Sequence, residues 1–146
     1  MIREAEIKDF KIIYILGEEV QKNFKKKFNL ENLIEESYFH ILVYEENGKV
    51  VGFIIYTLLE KTVDIVELVV HPDYRNKKIA TNLLDAMITN SNVDTTFFLE
   101  VAVDNFIAIK LYEKFGFETI YTRQKYYGQK DAYVMERRPQ WKTYIF

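Results

Sequence analysis

Two apolar runs hinged on Asn47-Gly48 constrain this chain more than any other feature. The segment FHILVYEENGKVVGFIIYTL, from Phe39 to Leu58, carries β-branched and aromatic residues on both sides of that dipeptide. Such residues suit strands, and Asn-Gly accepts the positive φ angles of a tight hairpin turn. A chain holding so apolar a hairpin is expected to build a sheet and cover it with helices.

The flanking sequence supplies them. MIREAEI alternates as a short strand. Asp9 is placed to cap a helix running to about Glu19, with Ile12, Ile13, Leu16 and Val20 on one face. NLENLIEESY reads as a second helix capped by Asn29. After the hairpin, VDIVELVV forms a third apolar strand that ends at His71-Pro72. From Lys77 to Thr89 the apolar positions Ile79, Leu83, Leu84, Met87 and Ile88 fall at helical spacing. TTFFLEVAV reads as a buried strand. Asp104 or Asn105 can cap the helix NFIAIKLYEKF, and Gly116 sits where a helix-ending glycine belongs. ETIYTRQKYY and DAYVMERR read as two last strands, and Pro139 leaves the tail QWKTYIF.

The order is strand, two helices, three strands, helix, strand, helix, two strands. It predicts an α/β (α+β) fold, a mixed, mostly antiparallel sheet with helices on both faces. Residues 1–138 are expected to form one domain and 139–146 a short tail, whose aromatic residues suit packing on the domain or on a second subunit. Val63 to Val103 should form a parallel strand–helix–strand crossover.

Composition narrows the chemistry. The chain has 146 residues and a net charge of -2, which gives no general attraction to nucleic acid or an anionic membrane. It contains no cysteine, so disulfides, thiolate metal sites and a cysteine nucleophile are excluded. With His40 and His71 as the only histidines, no metal site is expected. MIREAEIKDF is charged throughout, unlike a signal peptide. The longest apolar run, VVGFIIYTLL, is about half the length that crosses a bilayer. The expected location is cytoplasmic.

The stretch HPDYRNKKIATNLL brings a strand end into a helix N-terminus, where unpaired N–H groups and the helix dipole suit an anion. Arg75, Lys77 and Lys78 crowd this end, although cations there oppose the dipole. They are either solvated surface charges or part of an anion site. The phosphate-loop pattern GxxxxGK[ST] and the dinucleotide pattern GxGxxG are both absent.

Two carboxylates interrupt apolar strands: Glu67 in DIVELVV and Glu100 in FFLEVAV. An ionised carboxylate buried there needs a partner, a cavity or a proton. For Glu100 the plainer alternative is a salt bridge to a lysine or arginine. Tyr112, in KLYEKFGF, is one of eleven tyrosines and could be an ordinary core residue.

VVHPDYRNKKIATNLL resembles the acetyl-CoA loop of the GNAT N-acetyltransferases, Arg/Gln-x-x-Gly-x-Gly/Ala. Arg75 and Ala80 match the ends, and Lys78 stands at the central glycine. LEVAVDNFIAIKLYEKFGF matches the family's strand–Asn–helix–LYxxxGF signature. RQKYYGQKDAYVME is similar to the C-terminal hairpin of the bacterial ribosomal-protein-alanine N-acetyltransferases. Together these motifs cover Glu67 to Glu136.

The resemblance implies a GNAT fold and direct transfer of acetyl from acetyl-CoA to an amine, most plausibly a protein N-terminal α-amino group. It implies Glu100 as the general base, Glu67 as second candidate, and Tyr112 as the acid that protonates the departing thiolate. Leu68, Val69, Val70, Arg75, Asn76, Lys77, Lys78, Ile79, Ala80, Thr81 and Asn105 would hold the cofactor. Tyr126 and Tyr127 would line the acceptor site, opposite the basic segment QKNFKKKFNL. The neighbouring charges favour a helical Lys78, where lysine costs little. Ala102 departs from the arginine usual in the alanine acetyltransferases. Rival readings are a small-molecule amine or lysine acetyltransferase and a non-catalytic acyl-CoA-binding module. No membrane or direct nucleic-acid partner is expected; a homodimer is compatible with the sequence.

Overall fold

The computed structural model describes residues 1–125 and 130–139. The strands are β1 (Ile2–Glu4), β2 (Phe39–Glu46), β3 (Lys49–Leu59), β4 (Thr62–Val70), β5 (Thr96–Ala102), β6 (Glu118–Arg123) and β7 (Ala132–Arg137). They form one sheet in the order β1-β2-β3-β4-β5-β7-β6. Neighbours are antiparallel except β4 and β5, which are parallel, as the crossover reading expects. Asn47 and Gly48 turn the β2–β3 hairpin with φ of 51° and 80°.

Period-two alternation sends each strand's side chains to two cores. On one face Ile41, Val43, Phe53 and Ile55 pack with Phe10, Ile13 and Leu16 of α1 (Phe10–Val20), Phe24 of α2 (Phe24–Lys27) and Leu30 of α3 (Leu30–Leu33). On the other, Leu42, Ile54, Val63 and Phe97 meet Ile79, Leu83, Leu84 and Met87 of α4 (Ile79–Thr89) and Tyr112 of α5 (Phe106–Lys114).

Three expectations about the N-terminal helices change. Val20 is 52% exposed, because α1 ends there instead of continuing along the core. Asp9 stands at the N-cap position of α1 but makes no cap to it. Its Oδ2 instead accepts from the Glu6 amide at 2.7 Å and from Arg3 at 2.8 Å, which ties β1 to the start of α1. The basic segment holds the short helix α2, and the second expected helix shrinks to α3. Asn29 does cap α3, accepting from the Asn32 amide at 3.2 Å.

Two glycines set how closely layers approach. A Cβ at Gly17 would lie 2.5 Å from the Phe24 ring, so only glycine lets α1 meet that buried aromatic. A Cβ at Gly52 would lie 3.1 Å from both Ile79 Cγ2 and the Val69 carbonyl, at the start of α4.

Two irregularities open the sheet. β4 carries a bulge: Ile55 pairs with Glu67 but Tyr56 with Ile65, leaving Val66 as the extra residue. The alternation flips there, so Glu67 shares a face with Ile55, toward α1–α3. The β4–β5 ladder covers only Thr62–Asp64 against Thr96–Phe98. Beyond it β4 stays with β3 to Val70 and β5 stays with β7 to Ala102, so the two strands part.

Candidate active site

The gap between the parting strands is flanked by Glu67–Val70 on β4 and by Glu100 on β5. Along it, the edge of β4 that faces away from β3 has no partner strand over Glu67–Val70 among the described residues. Backbone amides and carbonyls on such an edge can pair with an extended, amide-bearing ligand. Leu68, Val69 and Val70 supply this edge, with the Val69 side chain 2% exposed and anchored in the core.

At the end of β4 the chain turns through a 3-10 segment, Pro72–Tyr74, with His71 Nδ1 accepting from the Asp73 amide at 3.0 Å. The loop then passes Arg75, Asn76 and Lys77 before α4. Lys77 lies over the Tyr74 ring, its Nζ 5.1 Å from the centroid. The expectation of a helical Lys78 is overturned: it is the N-cap of α4 with φ 62° and ψ 23°, in the left-handed region. Asn76 also has a positive φ of 65°. A side chain in this conformation costs roughly 1–2 kcal/mol, which is why glycine suits the position.

The first helical hydrogen bond of α4 runs from the Asn82 amide to the Lys78 carbonyl, at 3.0 Å. No side chain caps this helix, so the amides of Ile79, Ala80 and Thr81 point out of the N-terminus. Arg75, Lys77 and Lys78 make no ion pair among the described residues. Among the described residues the loop therefore presents uncapped amide donors and three cations without an acidic partner, a donor set that suits an anionic pyrophosphate. Asn105 caps α5, its Oδ1 accepting from the Ala108 amide at 3.2 Å.

The two glutamates occupy different environments. Glu67 is partly buried, and that burial raises its carboxyl pKa, with the charge of Lys27 opposing. Glu67 has no ion-pair partner among the described residues. Glu100 lies on the open side of β5, its side chain 37% exposed, held by Lys125 at 2.7 Å and Arg123 at 3.1 Å. The resemblance places Glu100 first as base and Glu67 second; Glu67 is the one of the two without an ion-pair partner among the described residues. Desolvation raises the pKa of a carboxylate and makes it a better proton acceptor.

Tyr112 is 8% exposed and packs on Phe117, the ring centroids 5.8 Å apart. Burial, and then the charge of Glu67, push its phenol up to about 12. Tyr112 thus stays protonated in neutral solution, within the field of Glu67.

Beside Glu100 an open groove of about 420 Å³ is lined by Asp64, Phe98, Tyr121, Arg123 and Val134 among others. Tyr126 and Tyr127 lie outside the described residues. Sequence reasoning did not single out Lys27, Arg123 or Lys125 as determinants of the two glutamates. Among the described residues no cluster of His, Asp and Glu could hold a metal, and no helix is long and apolar enough to cross a membrane.

Comparison with known proteins adds an independent line. The profile of the Acetyltransferase (GNAT) family matches residues 2–117. The chain is similar to an N-alpha-acetyltransferase of Saccharolobus solfataricus, 31% identical over 93% of this chain and 91% of that one. Its structure is similar to the ribosomal-protein-S18-alanine N-acetyltransferase of Escherichia coli, with a TM-score of 0.83, 25% identity and coverage of 95% and 93% of the two chains. It also resembles Arabidopsis thaliana Naa50 in complex with the bisubstrate analogue CoA-Ac-MVNAL, with a TM-score of 0.76, 28% identity and coverage of 94% and 97%.

Proposed function

The chain belongs to the GNAT acetyltransferase family, and from that premise we propose that it acetylates the N-terminal α-amino group of proteins, with Glu67 as general base and Tyr112 as general acid. It is an N-acetyltransferase, and its family uses acetyl-CoA. The observation that supports the mechanism is the place of Glu67 on β4 where that strand parts from β5, without an ion-pair partner among the described residues, with Tyr112 buried on α5 and raised in pKa by burial and then by the Glu67 charge.

Acetyl-CoA fits the residues present. The uncapped amides of Ile79, Ala80 and Thr81, with Arg75, Lys77 and Lys78, hold its pyrophosphate. Asn76 shapes the loop through its positive φ, and Asn105 borders the gap from the start of α5. The free edge of β4 at Leu68–Val70 pairs with the amides of the pantetheine arm. The carbonyl of the acetyl group then lies in the gap.

An ammonium has no lone pair to attack a thioester, so a proton must leave first. Glu67 accepts it, directly or through one water. The amine nitrogen bonds to the acetyl carbon and gives up its second proton to solvent, the carbon–sulfur bond breaks, and the electron pair leaves on sulfur. Tyr112 supports that thiolate by donating its phenolic hydrogen. The two groups act in sequence: once Glu67 is protonated its charge no longer opposes ionisation of Tyr112, and the phenol becomes a stronger acid when the thiolate forms. Glu100 anchors Arg123 and Lys125 at the groove.

The groove beside Glu100 leaves the acceptor side open to a polypeptide, and the similar proteins named N-alpha- and ribosomal-protein-alanine acetyltransferases favour a protein N-terminus. The catalytic unit is residues 1–138, with 139–146 as a tail. The test is incubation with acetyl-CoA and three acceptors: peptides with a free N-terminus, N-terminally blocked peptides containing lysine, and a diamine. Acetylation of the α-amine, located by mass spectrometry, supports the reading. Modification of lysine or diamine alone replaces it, and CoA release at background with every acceptor returns the chain to an acyl-CoA-binding role.

A further inference from the structure

Among the described residues strand β6 forms a free edge of the sheet, outside β7, and all six of its residues are exposed. Its outward N–H and C=O groups form a template for another strand. The sequence of this edge is Glu118-Thr119-Ile120-Tyr121-Thr122-Arg123. Laid antiparallel on itself, it sets Glu118 opposite Arg123, Thr119 opposite Thr122 and Ile120 opposite Tyr121.

In a regular strand this match would fail. Residues directly opposite in an antiparallel ladder share a face, while positions such as 118 and 123 alternate to opposite faces. A bulge corrects the phase. Thr119 pairs with Met135 and Tyr121 with Val134, which leaves Ile120 as the extra residue. Glu118, Tyr121 and Arg123 therefore follow Glu136, Val134 and Ala132 on one face. Thr119 and Thr122 follow Met135 and Tyr133 on the other. Bulges can also guard an edge, but this one brings the acid and the base of the strand to a common face.

The side chains are exposed to make the match, with Arg123 Nη2 donating to the Tyr121 hydroxyl at 3.4 Å. Glu118 stands opposite a second acid, Glu136, whose ion-pair partner is Arg138, and has no ion pair of its own among the described residues. Arg138 also feels the Glu118 charge. Arg123 uses Nε on Glu100 and remains 51% exposed. Ile120 and Tyr121 expose 43% and 50% of their surface at the centre of the strand. The other edge, β1, has only three residues.

We propose that β6 pairs antiparallel with β6 of a second copy of this chain, about a two-fold axis between Ile120 and Tyr121, joining two sheets into one. Each copy gives Glu118 to the other's Arg123, so the contact is isologous and closes at two. Six strand residues per copy fall below the ~1,000 Å² of a stable interface, so the dimer is weak and reversible. The seam lies one side chain from Glu100, because Arg123 serves both. The inference stands apart from the proposed chemistry.

Sedimentation velocity over rising protein concentration tests it. Wild type is expected to shift from monomer to dimer. Glu118→Arg, which leaves the Arg123–Glu100 pair intact, places two arginines face to face and should weaken association at least about tenfold. The exchange Glu118→Arg with Arg123→Glu should restore it. A wild type that stays monomeric throughout, or a dimer indifferent to Glu118→Arg, overturns the proposal.

Discussion

The ammonium of Lys125 lies 2.7 Å from Oε1 of Glu100. With Arg123 on the other oxygen, this carboxylate is held by two cations, and the base proposed above is Glu67. Steady-state CoA release should therefore show Glu100→Gln within about tenfold of wild-type turnover, against the ~10²–10⁴-fold loss expected when a general base is removed.

Tyr112→Phe removes only the phenolic oxygen from a well-packed side chain, so thermal stability and acetyl-CoA affinity should hold. Turnover should fall about 10²-fold, the loss of a positioned acid, with little change in KM. Because burial and then Glu67 push the phenol up to about 12, wild type should show no loss from Tyr112 across the neutral and mildly alkaline range. Calorimetry beside initial rates checks both halves.

Lys78 spends its conformation on a position that glycine occupies without strain. Lys78→Gly should raise stability by roughly 1 kcal/mol, read as a higher Tm. It should also weaken acetyl-CoA binding by several-fold and flatten its salt dependence, because a cation leaves the loop. Binding that strengthens in Lys78→Gly would mean the lysine obstructs the site.

Gly17→Ala places a methyl group 2.5 Å from the Phe24 ring. Phe24 is fully buried, so the ring must shift and take α2 with it. Overpacking of this kind costs about 1–3 kcal/mol. Since α2 carries Lys27, whose charge reaches Glu67, the variant should also change KM for the acceptor. Denaturant unfolding and kinetics on one preparation separate the effects.

Asp9 receives Arg3 at 2.8 and 2.9 Å and caps the Glu6 amide, and Arg3 holds its carboxyl below the usual range. A lowered folded-state pKa means the stabilisation is full above the unfolded value of ~3.9 and is lost as pH falls through the lower folded value. Asp9→Asn should cost about 1.5–3 kcal/mol at neutral pH. The gap to wild type should close as the solution is acidified below pH ~4.

What was legible in the sequence was local. Asn47-Gly48 declared its hairpin because two adjacent residues supply both positive φ angles. The strand–loop–helix from Glu67 to Thr89 was legible through apolar spacing and crowded cations. Helix α2, at four residues, was not, because a single turn shows no periodicity. The contrast between the glutamates was equally hidden. The bulge at Val66 sets the face of Glu67, and the cations that hold Glu100 come from β6 and the segment after it. The conformation of Lys78 belongs to the loop, and its residue type argued against it.

The measurement that tests the account most directly is kcat/KM against pH for wild type, Glu67→Gln and Glu100→Gln. Burial raises the Glu67 pKa, so the acidic limb of wild type should lie above the ordinary glutamate value of ~4.3, with activity falling as pH drops and Glu67 takes up a proton. The account predicts that Glu67→Gln loses ~10²-fold or more and abolishes that limb, while Glu100→Gln keeps it. Loss of the limb in Glu100→Gln, with Glu67→Gln retaining it, would contradict the assignment of the base.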